Sequence, residues 1–442
     1  MLTEIFLERP HRTNRLATYL DMSFFSLTMS FVEESAAAFG MEAADTTRLR
    51  LASEELFTYL AESDQKGNAV SVEAYDGWYY VGVKFLLKGA PPEIPISHPP
   101  GKGALEPGKD LAAMGLIIAS RFVDRLNVLH GERSGYGVGL TKEKTYPGTA
   151  APERAPVRAL TKFCVGRPET EALKYFVRQV TAYYPAESFP VDFSFPAKVA
   201  DMAAEGHYRV LVATDGGADV AGGILWRTQG TRMIEVFGPY LFDQPPEYGM
   251  SEALVDGLLG EVARGEAICL TDIYPTPELP EGYFELLGSM GHTKADGHKE
   301  PWPIYYRQLK EDPGLSVWAH PDLVPFLRQE YDRLYLARDI RLTPGGGEMR
   351  PAHPLFSVEF DRIQSSATLH LIWDGSDAPA TLEQYVKMLK AEGFLDIFFT
   401  IDLAHAFEAN LAPVLIRQGF SPRLIFPHAG EADIVAFQYE GR

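Results

Sequence analysis

The residues with the clearest chemical potential lie in the stretch 234–263, IEVFGPYLFDQPPEYGMSEALVDGLLGEVA. Its loop ends in Tyr248-Gly249-Met250-Ser251, directly where an amphipathic segment begins. The first N–H groups of a helix have no intrahelical partner and sit at the positive end of the dipole, so they bind anions. A glycine-bearing loop between an apolar strand and a helix is therefore a chassis for a pyrophosphate. The same pattern also describes a plain strand–loop–helix connection.

The elements that must position this loop are legible on both sides. Leu160–Gly166 reads as a short strand and Pro168–Tyr183 as a helix, with Glu169 and Glu171 in its first turn. Val191–Glu205 is a second helical region. Tyr208–Thr214 and Val220–Arg227 form a hairpin around Asp215-Gly216-Gly217. The run from Ile234 then ends at Gly238–Pro239, and Ala267–Tyr274 supplies the strand after the helix.

Bulk properties narrow the classes. A chain of 442 residues holds about three domains at roughly 150 residues each. The net charge of −19 argues against a phosphate-backbone footprint, which needs clustered Lys and Arg, so no nucleic-acid partner is expected. No apolar run of about 18 residues occurs, and the N-terminal stretch lacks a cleavage signature, so neither a membrane partner nor secretion is expected and the location reads as cytoplasmic. Cys164 and Cys269 stand in apolar, strand-like contexts and are expected to be buried, reduced thiols. The histidines show no metal-ligand spacing, and no metal site is expected.

The order helix pair, hairpin, strand, loop, helix, strand resembles the GNAT acetyltransferase fold. The residues that carry it are Val210–Arg227, Glu235-Val236-Phe237-Gly238-Pro239 and Glu247–Leu254. The resemblance implies acetyl-CoA as cofactor. Pantetheine would pair with the fourth strand, here Val236 and Phe237, and the pyrophosphate would rest on Tyr248, Gly249, Met250 and Ser251. That loop keeps the family's middle glycine but has Pro246 where the family has Arg or Gln. It also implies a general base, with Glu235 the only carboxylate well placed in the strand, and a tyrosine acid. The family's tyrosine position is Leu287, which leaves Tyr283, one helical turn upstream, as the candidate.

The last third repeats this plan. LTDIYPTPELPEGYFELLGSMGH (270–292) and FTIDLAHAFEANLAPVLIRQGF (399–420) both read as strand, polar turn, helix and glycine-led strand. Ala367–Trp373 and Thr381–Glu392 stand for the fourth strand and its helix. The intervening Asp374–Ala380 has no glycine at the cradling position.

The first third reads as a helix over Leu16–Phe39, a helix over Ala43–Ala61, strands over Val70–Lys88 turning at Gly77, a helix over Leu111–Val123, and a closing hairpin. This order resembles the histidine-kinase-like (GHKL) ATP-binding fold of small anti-sigma-factor kinases. It is carried by Ser53-Glu54-Glu55, Gly89-Ala90-Pro91, Met114-Gly115-Leu116 and Gly137–Lys142. The resemblance implies nucleotide contacts at Glu55, Gly89 and Gly115. Two departures argue against bound ATP and Mg²⁺. Tyr59 replaces the metal-holding Asn, and Leu87 replaces the Asp that reads adenine.

The expected architecture is α/β (α+β): a degenerate GHKL-like α/β sandwich over 1–148, a GNAT-like mixed-sheet domain over 158–312, and a second over 313–442 lacking the cofactor loop. Two functions fit it. One is an acetyl-CoA-dependent N-acetyltransferase, its acceptor a small-molecule or peptide amine. The other is a non-catalytic regulatory protein that senses ligands or binds a regulatory protein partner.

Overall fold

The computed structural model describes residues 12–62, 65–88, 119, 122–130, 135–148, 154–217, 219–294, 297–344 and 354–441. The chain divides into two compact units. One is Met1–Thr145 with Gly346–Ser357 and His370–Tyr385; the other is Tyr146–Gly345 with Val358–Leu369 and Val386–Arg442.

The first unit begins with β1 (Thr13–Tyr19), α1 (Phe25–Ala38), α2 (Ala43–Glu62), β2 (Ala69–Asp76), β3 (Tyr80–Lys88), β4 (Arg125–His130) and β5 (Gly135–Glu143). Its five strands run in the order β1-β2-β3-β5-β4. The segment expected as one helix from Leu16 is split. Thr13–Tyr19 pairs antiparallel with β2 along its whole length, and the Asp21 carboxylate accepts the Ser23 N–H at 2.8 Å, starting a 3-10 turn before α1. The expected helix over 111–123 lies almost wholly outside the described residues.

The second unit continues with β6 (Cys164–Gly166), α3 (Thr170–Tyr183), α4 (Pro196–Ala204), β7 (Arg209–Thr214), β8 (Val220–Gln229), β9 (Met233–Leu241), α5 (Met250–Val262), β10 (Cys269–Asp272), β11 (Glu285–Thr293) and β12 (Lys299–Gln308). These strands form one seven-stranded sheet, β6-β7-β8-β9-β10-β12-β11. Every residue of β9 is buried, so it runs as an uninterrupted apolar stretch apart from Glu235. Leu254, Val255, Leu258 and Val262 of α5 pack onto Ile234 and Val236. Gly222 of β8 permits the approach of β9, because a Cβ there would lie 2.5 Å from the Tyr240 carbonyl oxygen.

Two expectations fail in this unit. No helix forms between β10 and β11, because Pro275, Pro277 and Pro280 remove donors and Gly282 takes a left-handed φ of +79°. Cys164 is exposed on the sheet's edge strand, whereas Cys269 is buried and gives its thiol to the Pro427 carbonyl.

Beyond these come β13 (Leu315–Ala319), α6 (Val324–Arg333), β14 (Arg338–Leu342), β15 (Leu355–Asp361), β16 (Ser366–Trp373), α7 (Ala378–Ala391), β17 (Asp396–Asp402), two short helices (Ala406–Ala409 and Ala412–Arg417), β18 (Phe420–Phe426) and β19 (Ile434–Tyr439). The last sheet runs β15-β16-β17-β19-β18, the same order as β8-β9-β10-β12-β11. The penultimate strands also share a bulge, at Leu286/Gly288 in β11 and Pro422/Leu424 in β18. The repeat is therefore structural. Where the two copies meet, the Gln438 amide accepts the Gly291 N–H and donates to its carbonyl, both at 2.7 Å. Asp396 takes the Thr293 N–H and hydroxyl at 2.7 and 2.9 Å.

Candidate functional site

The site is built from the end of β9. Parallel pairing with β10 runs from Met233/Cys269 to Val236/Asp272 and stops, while β9 continues to Leu241. The register against β8 also shifts here, with a bulge opposite Ile224 that takes up Gly238 and Pro239. Phe242 donates its N–H to Ala221 beyond the start of that ladder at 2.9 Å. Alternation along the strand then turns the Leu241 N–H and C=O to the other edge, where β10 has ended. Val236, expected beside Phe237 to pair with pantetheine, is still in register with Asp272 of β10, and at the splayed edge beyond it the Tyr184 hydroxyl holds the Leu241 N–H and C=O.

After β9 the chain makes a 3-10 turn over Pro246–Tyr248, and Gly249 takes φ +66° as the cap of α5. No side chain caps this helix, so the Met250, Ser251 and Glu252 N–H groups are its orphan donors. The backbone at this place offers three helix N–H groups to a diphosphate, whereas the polar groups of the strand end are already held by hydroxyls of the protein. The side chains are less favourable. Glu247 and Glu252 flank the turn, the Glu252 carboxylate lying 3.9 Å from where a Gly249 Cβ would stand. The Ser251 hydroxyl donates to the Glu278 carbonyl, and Met250 is buried in the core.

Glu235 and Tyr283 are not brought together. Ile234 and Val236 face α5, so alternation puts Glu235 on the opposite face. There its carboxylate takes the Arg227 Nε–H at 2.6 Å, and it is 4% exposed. The Arg227 guanidinium lies 5.4 Å from the Phe237 ring centroid. Tyr283 packs on the α5 side, its hydroxyl donating to Asp256 at 3.1 Å. An ion-paired carboxylate and a phenol on the far face do not form an acid–base pair. Tyr283→Phe is therefore expected to leave any acetyl transfer within about twofold of the unaltered chain, measured by release of free CoA, whereas removal of a working acid costs about 10²-fold or more.

The structure adds groups that sequence alone did not point to. Asp272, the last residue of β10, is fully buried; its Oδ1 accepts the Tyr274 N–H at 2.9 Å and its Oδ2 makes no hydrogen bond. Burial pushes this carboxyl far above the usual range. A cavity of about 410 Å³ opens beside the strand end, with Tyr183, Tyr184, Leu241, Asp243, Gln244 and Glu278 in its wall. Burial raises the Glu278 carboxyl, opposed by its own backbone N–H and by the Tyr184 and Thr276 hydroxyls beside it. Asp243 is held below the ordinary range, chiefly by the Tyr183 hydroxyl at 2.6 Å. No signal in the chain links Tyr184 to Leu241, because the contact spans 57 residues.

In the first unit, Glu55 is half-buried on α2, and burial raises its carboxyl. Tyr59 and Leu87 are both core residues, at 2% and 4% exposure. Gly89 and Gly115 lie outside the described residues. With a phenol and an alkyl group in place of Asn and Asp, ATP with Mg²⁺ is expected to leave the melting temperature unchanged, checked by thermal denaturation at millimolar nucleotide. Among the described residues no group of three His, Cys, Asp or Glu side chains could hold a metal ion, and no helix is long and apolar enough to cross a membrane.

No protein-family model and no curated protein matches the sequence. The chain is similar to solved structures of two kinds. A GNAT-superfamily phosphinothricin acetyltransferase from Sinorhizobium meliloti, in complex with acetyl-CoA, is 21% identical over 34% of this chain and 89% of its own, at TM-score 0.27. A GNAT-family N-acetyltransferase from Escherichia coli, in complex with CoA, is 16% identical over 35% and 84%, at TM-score 0.25. The RsbU and RsbW domains of a Mycobacterium tuberculosis protein are 16% identical at TM-score 0.22; the alignment covers 30% of this chain and only 32% of that one.

Proposed function

We infer that residues 158–312 form an acyl-CoA-dependent N-acetyltransferase domain, with a small-molecule or peptide amine as acceptor. The observation that supports it is the length of β9 that β10 no longer pairs once it stops at Asp272, followed by the left-handed Gly249 at the head of α5. Acetyl-CoA, when bound, supplies the acyl thioester. The chain's own contribution is to hold its amides along Leu241 and its diphosphate on the Met250–Glu252 N–H groups. With Glu235 tied to Arg227, water reaching the splay is the base on this reading, and a thiolate with an ordinary pKa of about 8.5 needs no dedicated acid. Residues 313–442 act as a repeat without a cofactor loop, and residues 1–148 as a regulatory module that hydrolyses no ATP.

A second reading is favoured by one specific feature. The β9 edge already has its hydrogen bonds met by the protein's own hydroxyls, as a domain that only binds a regulatory partner would have. Incubation of the full chain with acetyl-CoA and a panel of primary amines separates the two. Release of free CoA dependent on the amine supports the enzyme. A melting curve unmoved by millimolar acetyl-CoA, with no CoA released, supports the regulatory protein.

A further inference from the structure

Three backbone groups face the splay from the free edge of β9, and side-chain hydroxyls occupy all three. Tyr184, directly after α3, accepts the Leu241 N–H at 2.7 Å and donates to the Leu241 C=O at 3.0 Å. Thr276, in the loop after β10, donates to the Pro239 C=O at 2.7 Å, and Pro239 has no N–H to offer. Burial pushes the Tyr184 phenol well above its ordinary range, so it stays protonated and keeps both its donor and acceptor roles. Tyr184 and Leu241 both line the cavity of about 410 Å³.

Resting on the acyl-CoA reading, we propose that Tyr184 and Thr276 are a gate that competes with the cofactor for the β9 edge. An extended amide chain pairing with Leu241 must take both hydrogen bonds from one phenol, and pairing at Pro239 must take one from Thr276. The hydroxyls satisfy the edge while the site is closed, since a buried unpaired backbone group costs free energy. Apparent affinity for the cofactor is the intrinsic affinity multiplied by the fraction of molecules in which the gate is open.

The test is calorimetric titration of the full chain with acetyl-CoA and with pantetheine, which lacks the nucleotide, for the unaltered protein, Tyr184→Phe and Thr276→Val. Each substitution deletes one hydroxyl and keeps the shape around it. Thr276→Val is expected to bind about tenfold more tightly, the equivalent of one net hydrogen bond no longer displaced, and Tyr184→Phe, which gives up two, at least as much. Their ligand-free melting temperatures are expected to fall, because the edge loses its partners. A purely structural role lowers the melting temperature without tightening binding. Unaltered or weaker affinity in both variants, with the unaltered chain still binding acetyl-CoA, overturns the gate and leaves the acyl-CoA reading standing. No binding by any of the three proteins overturns both. Should Tyr184→Phe fail to fold, Thr276→Val carries the same test alone.

Discussion

Arg338→Leu is expected to destabilise the second unit by about 3–5 kcal/mol, because it strands buried carboxylates. The Arg338 side chain is fully buried, its Nε–H donating to Asp433 at 2.6 Å and its Nη2–H to Asp312 at 2.9 Å. His428 Nε2 lies 2.9 Å from the same Asp312 oxygen, and the His428 N–H reaches Asp433. The cluster joins Asp312, just past the first repeat's last strand, to β14 and to residues 428–433 of the second repeat. Desolvation opposes the ionised Asp312, but the Arg338 and His428 hydrogen bonds outweigh it and hold its carboxyl below the ordinary value. A carboxylate whose folded pKa is depressed contributes stability above its unfolded value of about 3.9, and that stability is lost as pH falls through the folded value. The contribution of Asp312 is thus expected to fade as pH falls below about 4, and the variant is expected to lack it. Denaturant titration reads both effects, as a lower midpoint at unchanged slope. Adding Asp433→Leu to Arg338→Leu is expected to recover part of the loss, since a missing buried pair costs less than a broken one. A loss under about 1 kcal/mol in the single variant would show that the cluster is hydrated.

Gly249→Glu carries the second large effect: loss of at least about 100-fold in acetyl-CoA affinity, measured by calorimetry. Two independent costs act at this position. Any side chain is strained at φ +66°, by about 1 kcal/mol or more. A carboxylate at the head of α5 also meets the same N–H groups a diphosphate would use, and adds to Glu247 and Glu252. Gly249→Ala separates them, because it carries the strain without the charge and is expected to lose about tenfold. Space is not the limit, for the nearest atom to a Cβ is 3.9 Å away. Equal affinity in the Glu variant would place the anion elsewhere.

Much of the fold was legible because its signals are local. The hairpin of β7 and β8 is announced by Asp215-Gly216-Gly217, and the β9–α5 unit by an apolar run, a turn and Gly249. The repeat was readable from the matched patterns around 270–292 and 399–420, although the prolines at 275, 277 and 280 removed the helix expected in the first copy. The helix expected from Leu16 failed because strand pairing of Thr13–Tyr19 with β2 outcompetes a short helical pattern. The site was less legible. Glu235 reads as a free carboxylate in the sequence, yet its Arg227 partner sits across the ladder in β8, where register alone decides the pairing. Tyr184 and Thr276 reach the β9 edge across 57 and 37 residues, and no spacing rule reports such contacts. Asp272 is marked only by its place at the end of a strand.

Amide hydrogen exchange of the full chain with and without acetyl-CoA reads cofactor binding at this site residue by residue. The acyl-CoA reading predicts slower exchange confined to residues 238–252, from the splayed end of β9 to the first turn of α5, with residues 366–392 of the second repeat unchanged. Protection absent from 238–252, or found instead in the second repeat, would contradict it.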